Sequence, residues 1–317
     1  GNALFNRTLS RKTDIGYSKS LEKRWIAQDS EDIYITSEDG LKLHAHLKEN
    51  PEADGRYAII CHGYSGNATT MSAWAKELYG MGFNVLCPNA RAHGKSEGRV
   101  TGMGYLERRD IILWINEIIK REPTAQILLF GVSMGGATVL FTSGERNLPE
   151  NVRAVVSDCA FTRVYDEFGN VIRRYIPFLP DFPVVDSASV VCEIRGGYSF
   201  REASCIEAVK RSITPTLFIH GSEDTRIPVS MLHTLYENAA CPKEKLIVEG
   251  AGHANSHTTD PELYWRTVES FLKDKFIKKH YLVTVIFTYK KMIFFYIILY
   301  FLILQLSYQN IQVKEPQ

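Results

Sequence analysis

The chain is 317 residues long, 45% hydrophobic and 23% charged, with a formal net charge of +1. That length holds one large α/β domain or two small ones, and the composition excludes a disordered or fibrous chain. The near-neutral charge removes the electrostatic case for nucleic acid. Six cysteines, at 61, 87, 159, 192, 205 and 241, form no C-x-x-C pair and no metal-ligand spacing. They are expected as buried, reduced thiols in a cytoplasmic compartment, with a membrane-associated location as the alternative. The chain begins at Gly1 rather than Met, as a processed form or a fragment does, which leaves an upstream signal or anchor open.

Residues 1–30 are polar, with Arg7, Arg11, Lys12, Lys19, Lys23 and Arg24, and read as an arm lying on the domain. Alternating runs at 33–37 and 41–47 flank Glu38-Asp39-Gly40, and Asp-Gly between such runs signals a hairpin. A continuous apolar strand at 57–61 enters His62-Gly63-Tyr64-Ser65-Gly66. Residues 69–81 fit a helix with Met71, Trp74, Ala75 and Leu78 on one face. A buried strand at 83–87 stops at Pro88, and the loop 89–96 follows. Residues 104–120 form a strongly amphipathic pattern through Ile111, Ile112, Trp114, Ile115, Ile118 and Ile119. The apolar run 126–132 is a strand, and a small-residue helix occupies 136–144. A further strand at 152–157 is closed by Asp158. Residues 159–212 break the rhythm with nine aromatic or large apolar residues, three prolines and Gly196-Gly197, and read as a small helical cap insertion. The alternation resumes with a strand at 216–220, a helix at 229–238, a strand at 245–248 and a last helix at 260–277. This predicts an α/β fold: a mostly parallel central sheet with helices on both faces and sites at the strands' carboxyl ends. His62, Arg91, Ser133 and Asp158 fall there.

Gly131-Val132-Ser133-Met134-Gly135 reads G-x-S-x-G between a strand and a helix, the setting a nucleophile elbow needs. Serine is a poor nucleophile until a base takes its proton, and that base needs an orienting carboxylate. Asp224 and His253 each follow a predicted strand, in the chain order Ser133, Asp224, His253. Ser133 is expected to attack an acyl carbon, His253 to carry the proton and Asp224 to hold the imidazole. The amides of Tyr64 and Met134 are expected to bind the oxyanion. No metal or cofactor is required. Asp158 is the rival acid. His257 is expected on the surface, His62 and His93 as loop supports, and Arg91 in a structural salt bridge, with a clamp on a substrate carboxylate or phosphate as its other reading.

Here the sequence resembles a known family: the α/β-hydrolases of the serine aminopeptidase, lysophospholipase-like and bile-acid-acyltransferase-like group. His62-Gly63-Tyr64 resembles the oxyanion turn, Gly131–Gly135 the elbow and Gly252-His253 the histidine loop. Gly221-Ser222-Glu223-Asp224-Thr225-Arg226-Ile227-Pro228 resembles the acid loop G-x-x-D-x-x-[VI]-P, which favours Asp224 over Asp158. The resemblance runs from about residue 33 to 276. It departs at 89–96, where relatives read D-x-R-G-H-G-x-S and this chain has Asn89 and Ala92. The resemblance implies a serine hydrolase of the carboxylesterase or lipase-like type, cleaving esters through an acyl-enzyme. Peptidase or aminopeptidase and acyltransferase activities share the triad, and a catalytically silent binding protein is the alternative from another class. The aromatic-rich cap implies a small ester or peptide substrate with an apolar group. The cap acids Glu167, Glu193, Glu202 and Glu207 are available to a peptide amino terminus, although solvated helix faces account for them as well.

After Lys279 the composition changes. Runs at 281–289 and 292–306 are almost wholly apolar and aromatic, split by Lys290-Lys291. The longer run falls short of the roughly 18–20 residues that span a bilayer. A membrane anchor, a docked apolar segment and a non-native extension all fit, and the AT-rich-like bias favours the last. The expected organisation is therefore an arm at 1–30, a hydrolase domain at 31–279 and a hydrophobic tail at 280–317. Membrane association through the tail or a missing amino-terminal segment stays open.

Overall fold

The computed structural model describes residues 25–276 except Pro177 and Leu179. The expected tail, and the arm up to residue 24, lie outside the described residues.

Eight strands form one sheet in the order β1-β2-β4-β3-β5-β6-β7-β8. They are β1 (Glu31–Thr36), β2 (Lys42–Lys48), β3 (Arg56–Cys61), β4 (Asn84–Pro88), β5 (Gln126–Val132), β6 (Val152–Asp158), β7 (Thr216–Gly221) and β8 (Lys243–Val248). The β1–β2 hairpin and its edge with β4 are antiparallel, and every other pairing is parallel. The hairpin turns at Gly40, whose φ of 83° suits a residue without Cβ.

Because successive strand residues point to opposite faces, the apolar runs feed two cores. On β3 and β5, Tyr57, Ile59, Ile127 and Leu129 enter one core. Ala58, Ile60, Leu128 and Phe130 enter the other. The first core is closed by α2 (Glu107–Arg121), α3 (Met134–Ser143), α6 (Cys205–Arg211) and α7 (Ser230–Asn238). The second is closed by α1 (Ser72–Gly80) and α8 (Pro261–Leu272). The expected α/β sandwich is thus present, with helices on both faces of the sheet. Among the described residues no helix is long and apolar enough to cross a membrane.

Two helices begin later than their periodicity predicts. The expected helix at 69–81 opens as a 3-10 turn, Ala68–Met71, because Asn67 caps it, and α1 follows. The expected start at 104 moves to Glu107 because that carboxylate accepts the amides of Gly102 and Gly104, both at 2.8 Å. Gly104 itself has a φ of 90° and cannot continue a helix.

The excursion between β6 and β7 contains α4 (Val164–Tyr175), α5 (Asp181–Gly196) and α6. Helices α4 and α5 pack on each other, whereas α6 packs on α3 and α7 in the sheet-covering layer. The extra element is therefore the α4–α5 pair, shorter than the predicted segment.

Candidate active site

Ser133 occupies the turn between β5 and α3 with φ 58° and ψ −119°, a left-handed conformation that non-glycine residues avoid. The turn closes because its flanking glycines lack side chains. A Cβ on Gly131 lies 2.1 Å from the Gly135 carbonyl oxygen, and one on Gly135 lies 2.0 Å from that of Cys61. The Ser133 amide donates to the Asp158 carbonyl at 2.8 Å, tying the turn to β6.

His253 lies in the loop after β8. Its Nδ1 is 2.7 Å from Asp224 Oδ2 and its Nε2 is 2.9 Å from Ser133 Oγ. With Nδ1 donating to the carboxylate, Nε2 keeps a lone pair for the serine hydroxyl. Asp224 follows β7, and its Oδ1 accepts the amides of Arg226 and Ile227, both at 2.9 Å. His220 Nε2 stands 3.4 Å from Oδ2. Burial alone raises the Asp224 carboxyl, but hydrogen bonds from His220 and His253 outweigh it and hold the group well below the usual carboxylate range. It is therefore an ionised, fixed acceptor.

Asp158, the rival acid, is elsewhere engaged. Its Oδ2 meets the Tyr264 hydroxyl at 2.9 Å. Burial pushes this carboxyl up to about 7, against the effect of that hydrogen bond. His257 is half-buried rather than free on the surface, its ring 3.9 Å from that of Trp74 with the planes tilted by 39°. Burial lowers its pKa to about 4.

The turn after β3 faces the elbow. His62 Nδ1 donates to the Gly63 carbonyl at 2.7 Å and its Nε2 accepts the Ala90 amide at 3.0 Å. The Gly66 amide donates to the same Gly63 oxygen at 2.9 Å. In a trans peptide the N–H points opposite the C=O, so pinning Gly63 O fixes the direction of the Tyr64 N–H. His93 Nε2 meets the Tyr64 carbonyl at 2.5 Å. Met134 is the first residue of α3, where unpaired amides face outward. Arg91 is buried and binds Asp110 through two 2.8 Å contacts and Asp39 at 3.0 Å, a structural clamp on the β4 loop.

Among the described residues, Asp32, His44 and His46 form a metal-like group away from Ser133. The Asn89 side chain decides against ligation. Its Oδ1 accepts the Ala68 amide at 2.8 Å, so its Nδ2 donates to His44 Nδ1 at 2.7 Å. The His44 proton then sits on Nε2, facing Asp32 Oδ1 at 3.0 Å, and leaves no lone pair for a cation. The departure at Asn89 thus serves a hydrogen-bonded hub joining hairpin and loop.

Ser133 opens on a cavity of about 280 Å³. Tyr64, Met134, Phe161, Phe168 and Ile227 line it, together with Glu167, Asn170, Val171 and Arg174 from α4 and Arg226 from the acid loop. Glu167 is buried rather than solvated, and burial raises its carboxyl to about 8, with Asp224 adding to the effect. The spacing 167, 170, 171, 174 marks one helix face and is the signal that could have found these residues. Phe178 and Phe182 are exposed, so the aromatic content of the insertion lines the cavity only in part.

A family profile described as "Serine aminopeptidase, S33" matches residues 55–182. The uncharacterized protein YqkD of Bacillus subtilis is 32% identical over 219 residues, 68% of this chain and 70% of that protein. The α/β hydrolase domain-containing protein WAV2 of Arabidopsis thaliana is 27% identical over 250 residues, 77% of this chain and 78% of its own. The Pyrococcus furiosus esterase Pf2001 superposes with a TM-score of 0.65 at 24% identity, covering 82% of this chain and 95% of the esterase. The sheet order, the strained serine turn and a relative sharing a third of its residues over most of both chains agree: the chain belongs to the α/β-hydrolase superfamily.

Proposed function

We propose that the protein is a serine hydrolase that cleaves carboxylic esters through an acyl-enzyme. The observation that carries this reading is His253, whose two ring nitrogens meet Asp224 at 2.7 Å and Ser133 Oγ at 2.9 Å, with Ser133 itself on the wall of a cavity. His253 takes the Ser133 proton as Oγ attacks the acyl carbon, then returns it to the leaving alkoxide. Asp224 fixes the imidazole and offsets its positive charge. The amides of Tyr64 and Met134 hold the oxyanion, a contribution of about a hundredfold or more per donor. Water, giving a proton to His253, then attacks the acyl carbon, and His253 returns that proton to Ser133 Oγ as the acid leaves. The α4–α5 pair is the cap, and the domain is the segment around the sheet.

A p-nitrophenyl ester series from acetate to laurate tests the reading. Turnover is expected in the native chain and its loss by about a thousandfold or more in Ser133→Ala. Equal rates in both proteins sink it. The family profile's name favours a second reading, a peptidase on the same residues. Aminoacyl p-nitroanilides run beside the esters separate the two.

A further inference from the structure

The cavity wall contributed by α4 and the acid loop has an unusual inventory. Glu167 is more than nine-tenths buried, and its Oε2 has no hydrogen-bond partner among the described residues. One turn on, Asn170 Nδ2 is also buried and partnerless. One further turn on, Arg174 leans toward the acid loop, 3.4 Å from the Thr225 carbonyl. Arg226 follows in that loop. Among the described residues neither arginine enters an ion pair. All four line the cavity that opens on Ser133.

These groups are donors. The guanidiniums and the Asn170 amide nitrogen only donate. Glu167 stands near the ionised Asp224, and a second buried negative charge there is unfavourable, so its carboxyl is held protonated and offers an O–H. A plain hydrocarbon filling the cavity leaves the two guanidiniums on its wall without a counter-charge. An ammonium meets two guanidiniums and no carboxylate charge. An anionic oxygen meets both guanidiniums and the Glu167 O–H.

We propose that this wall recognises an anionic oxygen group, carboxylate or phosphate, carried by the part of the substrate that fills the cavity. The enzyme's preferred esters are then those whose pocket-filling group bears such a charge beyond an apolar stem. The stem lies against Phe161, Phe168, Val171 and Ile227, and the charged end reaches Arg174 and Arg226. This deepens the ester-hydrolase reading and rests on it for which bond is cut, although the binding itself is measurable without turnover.

The test is calorimetric binding to the full chain carrying Ser133→Ala, with four probes sharing one stem. They are hexanamide, the monoamide of adipic acid, the phosphate ester of ω-hydroxyhexanamide, and the ω-amino derivative of hexanamide. One or both anions are expected to bind about tenfold or more tighter than hexanamide, a gain in keeping with charge-assisted hydrogen bonds. The better anion identifies the group. Arg174→Gln with Arg226→Gln is expected to abolish the preference. Glu167→Gln keeps a neutral donor and is expected to keep it.

The pH dependence separates this from a general surface attraction. Glu167 is faced by Asp224 and Arg226 from the acid loop, Tyr64 from the turn after β3, and Arg174 and Tyr175 from its own helix. As pH rises through about 8 the carboxyl ionises and repels an anion, so the preference fades in the parent chain but not in Glu167→Gln. Tighter binding of the ω-amino probe, equal affinity for all four, or a preference that survives both arginine substitutions overturns the proposal. Ser133-dependent ester turnover without any charge preference overturns it alone. Arginine-dependent anion binding in a chain that hydrolyses no ester upholds this site and removes the esterase reading.

Discussion

Asp158 and Asp224 end neighbouring strands, yet their surroundings give them opposite character. Asp224 receives two backbone amides and His253, and stays ionised. Asp158 receives one phenol, leaves Oδ1 unpartnered and is fully enclosed. Asp224→Asn is accordingly expected to cut kcat about a thousandfold or more by spoiling the imidazole tautomer. Asp158→Asn is expected to leave kcat within about tenfold, and the two steady-state measurements check this directly. Asp158 also makes a signed prediction for stability. An unfolded aspartate releases its proton near pH 4, whereas the folded group holds it to about 7. Its contribution is full below pH 4 and is lost as pH rises to 7, at about 1.4 kcal/mol per pH unit. Urea unfolding of the parent chain should therefore weaken across that window relative to Asp158→Asn; parallel curves refute the assignment. The sequence carried the choice of Asp224 through its loop pattern. It did not carry the burial of Glu167 or the half-burial of His257, since both depend on what packs over them from elsewhere in the chain.

Among the elements, strands were legible to within a residue or two: the central ones because a run buried on both faces is nearly pure in apolar residues, the hairpin through its alternation. Helix starts were less so, because they depend on caps and positive φ. Gly104 and Glu107 show why: the apolar period begins before the backbone can follow it. The elbow was legible as a pattern, and the structure adds its tolerance. With the Cys61 carbonyl 2.0 Å from a Cβ at 135, Gly135→Ala is expected to cost on the order of 1–3 kcal/mol or more, since neither backbone has room to yield. Chemical denaturation checks this; a loss under about 0.5 kcal/mol counts against it. Ala92 is a milder case, a buried methyl at φ 63°, so some left-handed strain is retained in the loop after β4.

For the whole molecule, strand order was beyond sequence reasoning. Nothing local to β3 and β4 says that β4 lies between β2 and β3, yet that swap places the loops after β3, β4 and β5 together. The His62–Ala90 contact and the Arg91–Asp39 arm of the clamp follow from it. Residues 25–276 hold the full sheet, both cores and the site network. A chain ending at Lys279 is therefore expected to fold and to keep its turnover; aggregation or lost activity on truncation contradicts this.

All six cysteines are buried and unpaired. Burial also raises the thiol pKa of Cys61, Cys87, Cys159, Cys192 and Cys205, withholding the reactive thiolate. The chain therefore carries its own opening clock. An alkylating reagent finds each sulfur only when the structure around it parts, so the order in which the six are marked charts which layers come apart first.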